Sequence, residues 1–142
     1  IDVRLVGSEM CIRDRTYALR ESKELLEKRS GKSITRLVVS GGGSQSDQVM
    51  QITADIFGMP VFRPHTFETS SLGAAISSAV GVGIYPDFTS AVVNMTHKGD
   101  CFEPITTHQV TYNKLYNQVY KKMYRQLKPS YEALHKISEG FF

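Results

Sequence analysis

Ser40-Gly41-Gly42-Gly43-Ser44-Gln45-Ser46-Asp47 decides how the rest of this chain is read. It follows Ile34-Thr35-Arg36-Leu37-Val38-Val39, a β-branched apolar run with the character of a buried strand. It precedes Gln48 to Phe57, where Val49, Ile52, Thr53 and Ile56 recur at helical spacing. The glycines therefore stand where a strand ends and a helix begins. Glycine tolerates positive φ and holds no side chain against an approaching group, so the backbone can turn sharply and come close to a ligand. The helix beyond offers unpaired N–H groups and the positive end of its dipole, and phosphate is the usual ligand of such a corner. A plain strand-to-helix turn with Ser44 or Ser46 as N-cap uses the same residues. The local pattern leaves both readings open.

Composition narrows the classes. The chain has 142 residues, 41% hydrophobic and 22% charged, the balance of an ordinary soluble globular domain. No stretch approaches the 18 or so apolar residues of a membrane span, so no membrane partner is expected. A net charge of +3 is too small to argue for nucleic acid. Cys11 and Cys101 lack metal-ligand spacing and read as free thiols of a reducing, cytoplasmic compartment. His65, His97, His108 and His135 are scattered, and no metal site is expected.

Upstream of the corner, Thr16 to Arg29 reads as a helix ended by Ser30-Gly31-Lys32, with Gly31 placed for a C-terminal cap. Ile1 to Arg15 shows neither a helical nor a strand period and resembles a translated sequencing-adapter remnant. It is set apart from a domain over 16–137, followed by a tail at 138–142. Downstream, the corner helix stops at Gly58, and Pro60-Val61-Phe62-Arg63 forms a short strand closed by Pro64. A strand, helix and strand with short connections call for a parallel or mixed sheet. Glu68 to Gly83 is a helix of small side chains, which predicts close packing of helix on sheet. Asp87 to Met95 is a short helix, and Thr96 to Thr107 an irregular link. A long helix from His108 carries Tyr112, Leu115, Tyr116, Val119, Met123, Leu127, Tyr131 and Leu134 as one stripe, with Pro129 expected to kink or split it. Its tyrosines read as core and rim, and its lysines as a solvated face.

The Walker phosphate loop is absent, because no Lys followed by Ser or Thr stands at the required offset. Gly41-x-Gly43-x-x-Ser46 nearly meets the Rossmann fingerprint, and Arg63 at the end of the next strand would suit a 2′-phosphate. Ser46 in place of the third glycine, and the charge of Asp47 in the first helical turn, count against a bound pyrophosphate. Contact with adenosine asks less of the corner.

Val39 to Asp47 with Gln51 and Ala54-Asp55, then Gly58-Met59-Pro60-Val61, then Glu68 and Leu72-Gly73-Ala74-Ala75, resembles the C-terminal domain of the FGGY-family carbohydrate kinases. The resemblance covers roughly Thr16 to Ile137 and is carried by three separated motifs. It implies an α/β fold of the actin-like, ribonuclease-H-like ATPase type, here with helices packed on an incomplete mixed sheet. It also implies ATP with Mg2+ as cofactors, a sugar or polyol acceptor, and ATP or ADP as partners, with an oligomer left open. By the same resemblance Gly41, Gly42 and Gly43 match the adenosine motif, with Gly42 nearest the α-phosphate. Ser46 and Asp47 border the adenine, Gln45 adds a polar group, and Glu68 with Leu72 to Ala75 brackets the pocket. The general base and the sugar pocket belong to an N-terminal domain that nothing here matches, so no catalytic residue is assigned. Asp47, Asp55 and Asp87 qualify by residue type alone. The expectation is a kinase fragment, inactive by itself. An NADP-binding Rossmann fragment, another actin-like ATPase and a non-enzymatic interaction module are the rivals.

Overall fold

Helix α2 (Asp47–Phe57) is the element against which both halves of the core are built. Ser46 caps its start, its hydroxyl accepting from the Val49 N–H at 3.4 Å. Gly58 ends it in the left-handed conformation at φ 65°, donating its N–H to Ala54 O at 2.8 Å. Between those caps Met50, Ile52, Thr53, Ala54, Asp55 and Ile56 are all buried. A helix buried on opposite sides needs a partner on each.

One partner is a three-stranded sheet in the order β1 (Leu37–Val38), β2 (Val61–Phe62), β3 (Cys101–Phe102). β1 and β2 are parallel, with Leu37 opposite Val61, whereas β2 and β3 are antiparallel, with Phe62 opposite Cys101. Met50 and Ala54 pack with Val61 on this side, flanked by Leu37, Val39 and Phe102. The second partner is formed by α1 (Val3–Ser30) and α5 (Thr106–Leu115), where Ile52 and Ile56 join Tyr17 and Tyr116. Full burial of side chains of this size contributes about 1.5–3 kcal/mol each.

The computed structural model describes residues 3–97 and 99–139. Ile1 and Asp2, and residues 140–142 of the expected tail, lie outside the described residues. Residues 3–15 have no helical period, yet they continue α1. Gly31, at φ 67°, closes that helix by donating its N–H to Glu27 O at 2.9 Å, as its position predicts.

Further boundaries differ from the sequence expectations. The strand foreseen over Ile34–Val39 pairs only at Leu37–Val38. The link foreseen over Thr96–Thr107 contains β3, because two residues are too few to show alternation, and α5 begins at Thr106. The long C-terminal helix is interrupted at a π turn, Tyr116–Tyr120, and α6 (Lys121–Glu139) then runs through Pro129. The extra residue of a π turn re-aims the side chains it carries. Here Tyr116 is fully buried, stacked on Tyr17 at 5.6 Å and on Tyr120 at 5.7 Å, with its hydroxyl donating to Glu24 Oε2 at 3.0 Å.

The small-residue helix α3 (Thr69–Gly81) is also placed differently. Among the described elements it packs only against α4 (Phe88–Met95), not on the sheet. Ile76, Ala79 and Ala91 are buried there, while Gly73, Ala74 and Ala75 are exposed. α2 covers one face of the sheet, and the other, where Val38 of β1 is exposed, carries no helix among the described elements.

Candidate functional site

The glycine corner joins β1 to α2 through a single 3-10 turn, Gly42–Gln45. Gly41 precedes it at φ 91° and ψ −179°, a conformation open essentially to glycine alone. Its N–H donates to Phe67 O at 3.2 Å, which ties the corner to the segment before α3. Ser44 is buried, and both its N–H (3.0 Å) and its hydroxyl (2.7 Å) donate to Gly41 O. Ser46 donates its N–H to Gly43 O at 3.4 Å before capping α2. Thr69, the first residue of α3, donates its hydroxyl to Ser40 Oγ at 3.1 Å.

Gly42 and Gly43 behave differently from Gly41. Neither has positive φ, and a Cβ on either would meet nothing within 4 Å. Both are exposed, and as the first residues of the turn their N–H groups have no acceptor within it. The chain's own packing requires glycine at 41 and leaves 42 and 43 as bare backbone facing outward. Gln45, Ser46 and Asp47 are exposed on the same corner. Thus all six residues singled out from the sequence are brought together, with Ser44 as the pin beneath them.

Sequence reading missed what secures this corner. Arg63, at the end of β2, donates through Nη1 to Ser44 O at 3.1 Å and to Asp47 Oδ1 at 2.7 Å. Its Nε donates to Asp100 Oδ2 at 3.0 Å, and its Nη2 reaches the same oxygen. Asp100 first and Asp47 second raise the guanidinium pKa further above its ordinary value. The two partners lie 16 and 37 residues away in sequence, so no local pattern could have shown them. An Arg63 so engaged does not stand free for the 2′-phosphate that the Rossmann reading required of it.

The other acidic candidates have structural partners. Asp55 is buried, accepts from Ile105 N–H at 2.7 Å and from Gln51 Nε2 at 3.0 Å, and lies 2.9 Å from His108 Nδ1. It locks α2 to the start of α5. Asp87 caps α4 by accepting from Ser90 N–H at 2.7 Å, which holds its carboxyl below the usual value. Glu68 precedes α3 without a side-chain cap, and Leu72 N–H donates to its carbonyl at 3.0 Å. Among the described residues no three His, Cys, Asp or Glu side chains converge as metal ligands. Two clefts flank the corner. One, of about 470 Å³, runs past Gln45, Arg63, His65, Phe67 and Asp100. The other, of about 660 Å³, lies between α1, β1 and α2 and reaches Gly43 and Ser44.

Comparison with known proteins converges on one group. Residues 15–82 match the C-terminal domain of the FGGY family of carbohydrate kinases. An uncharacterized sugar kinase of Escherichia coli is 42% identical over 103 residues, which are 70% of this chain and 21% of that protein. A xylulose kinase of Lactococcus lactis is 32% identical over 101 residues, 70% of this chain and 20% of its own length. The chain therefore spans about a fifth of the length of these relatives. Among solved structures, xylulose kinase from Rhodospirillum rubrum superposes with a TM-score of 0.67 at 25% identity, over 85% of this chain and 24% of that one. Plasmodium falciparum glycerol kinase with ADP gives 0.63 at 19% identity, over 78% and 22%. These likenesses establish the fold as part of the actin-like ATPase type, α/β with helices on a small mixed sheet.

Proposed function

We propose, from the match of residues 15–82 to the C-terminal domain of the FGGY family of carbohydrate kinases, that this chain is the ATP-binding part of a kinase that phosphorylates a sugar or polyol hydroxyl. The observation that carries the reading is the bare backbone of Gly42 and Gly43, which nothing in the chain's own packing explains. Three glycines where the backbone needs one leave room for a ligand to lie against the chain. The ligand the corner fits is a nucleotide. The start of α2 favours anionic charge, and Gln45, Ser46 and Asp47 offer polar groups of both kinds to a base or ribose.

In this reading ATP brings the transferable phosphoryl group, and Mg2+, travelling with the phosphates, neutralises their charge. The residues of this chain hold and orient. Gly41 sets the turn, Gly42 and Gly43 admit the nucleotide, and Ser44 pins the turn from below. No acid or base of this chain is given a role in proton transfer, since Asp55 and Asp87 are spent on helix positioning. The acceptor hydroxyl and its general base are assigned to the part of the kinase outside the matched domain. This chain is accordingly proposed to be inactive alone, as a cytoplasmic fragment of a longer kinase with residues 16–137 as its nucleotide-binding unit.

Competition binding tests this. MgATP or MgADP should displace a fluorescent adenine nucleotide, NADPH should compete far more weakly, and Gly42→Asp should abolish binding by steric block and charge repulsion. Wild-type affinity in Gly42→Asp would remove the site assignment, and stronger competition by NADPH would favour the dinucleotide reading.

A further inference from the structure

Resting on that nucleotide reading, we propose that Arg63 is the positioning residue of the glycine corner, holding the turn in shape and offsetting the charge of Asp47 where the phosphates are received. Asp47 is the first residue of α2, where a carboxylate favours the helix but repels an anion arriving at the same end. Its carboxylate is 76% exposed and has one charged partner among the described residues, the Arg63 guanidinium at 2.7 Å. Charge that would oppose a polyphosphate is offset at its source.

The same nitrogen also donates to Ser44 O at 3.1 Å. A planar peptide fixed at its carbonyl has its N–H direction fixed as well, so this bond sets the Ser44–Gln45 peptide inside the turn. Arg63 is itself held. Its backbone N–H donates to Asp100 O at 2.8 Å, its Nε and Nη2 engage the Asp100 carboxylate, and its guanidinium lies 5.3 Å from the centre of the Phe102 ring. Its side chain is only 21% exposed. A guanidinium anchored on one edge by β3 presents the other edge to the corner in fixed geometry, which the flexible ammonium of lysine does not reproduce.

The test uses MgATP titrations of the whole chain, read at the Gly42 and Gly43 amide resonances, with exchange of the Ser44 amide measured without nucleotide. Arg63→Ala should weaken MgATP about tenfold, the effect of one uncompensated charge close to a polyphosphate. Adding Asp47→Asn, which removes the charge but keeps a polar amide for the base or ribose, to Arg63→Ala should restore affinity to within about threefold of wild type, a recovery that a purely structural role of Arg63 would not give. Arg63→Lys, the milder change if Arg63→Ala fails to fold, should still accelerate Ser44 exchange. Unchanged affinity and unchanged Ser44 exchange in Arg63→Ala and Arg63→Lys would overturn the proposal. Failure of Asp47→Asn to restore affinity would overturn its charge-offset half. If Gly42→Asp binds MgATP like wild type, the nucleotide reading fails separately, and Ser44 exchange alone then decides whether Arg63 shapes the turn.

Discussion

Helices α2 and α3 each begin beside the glycine corner, yet they are stabilised in opposite ways. α2 buries six of its eleven residues between the sheet on one side and α1 and α5 on the other. α3 buries only Ile76 and Ala79, and with α4 leaves Val82, Ile84, Phe88 and Val93 exposed. What binds α3 to the corner is polar: Gly41 N–H to Phe67 O, and Thr69 to Ser40. One wall of the candidate site is thus part of the core, and the other is hinged to it by a few hydrogen bonds. The difference teaches that hydrophobic periodicity reports burial only where another element is there to receive it.

The contrast can be broken from its strong side first. Tyr116→Ala empties the cluster in which the π turn meets α1 and α2 and should lower unfolding free energy by about 3–5 kcal/mol, the range for removing a large buried aromatic. Urea denaturation measures it, and a loss under about 1 kcal/mol would mean that this core is not the main support. Gly58→Ala comes next. It places a side chain at φ 65° where a Cβ would collide with Gln109, for about 1–2 kcal/mol from the backbone alone in the same assay.

The pH dependence sharpens the picture of the α1–α6 junction. Burial pushes the Glu24 carboxyl up, but Lys121, Tyr116 and Arg20 together hold it below its ordinary value of 4.5. A depressed carboxyl stabilises the fold above its unfolded pKa, and that stability is lost as pH falls through the folded one. Melting temperature should therefore drop below about pH 4.5, and Glu24→Gln should flatten that drop. Burial pushes the Tyr17 hydroxyl up to about 12 from its ordinary 10.0. Its contribution is complete below 10.0 and disappears as pH rises toward 12, so alkaline melting should begin there and be reduced in Tyr17→Phe. The smallest effect belongs to the other wall. Val93→Ser, at an exposed site on α4, should change stability by no more than about 0.5 kcal/mol, whereas a larger loss would show that something covers this face.

Much of the corner was legible from sequence because its signals are local. Gly31 and Gly58 end helices, Ser46 and Asp87 begin them, and Val49, Ile52, Thr53 and Ile56 mark α2 within a single window. The motifs led to the family as well. What escaped was non-local or too short to show a period. β3 is two residues long, the π turn at Tyr116 answers to Tyr17 and Glu24 at the far end of the chain, and Arg63 meets Asp47 and Asp100 only after folding. The small residues of α3 were legible as a helix, but no local signal says which surface they face.

The most direct test of the central claim is a titration of the isotope-labelled chain with MgADP, followed residue by residue through its amide resonances. A nucleotide site at the corner predicts saturable shifts largest from Gly41 to Asp47, with smaller ones at Phe67 and Thr69. Absence of shifts at the corner at millimolar MgADP, or shifts confined to α5 and α6, would contradict it.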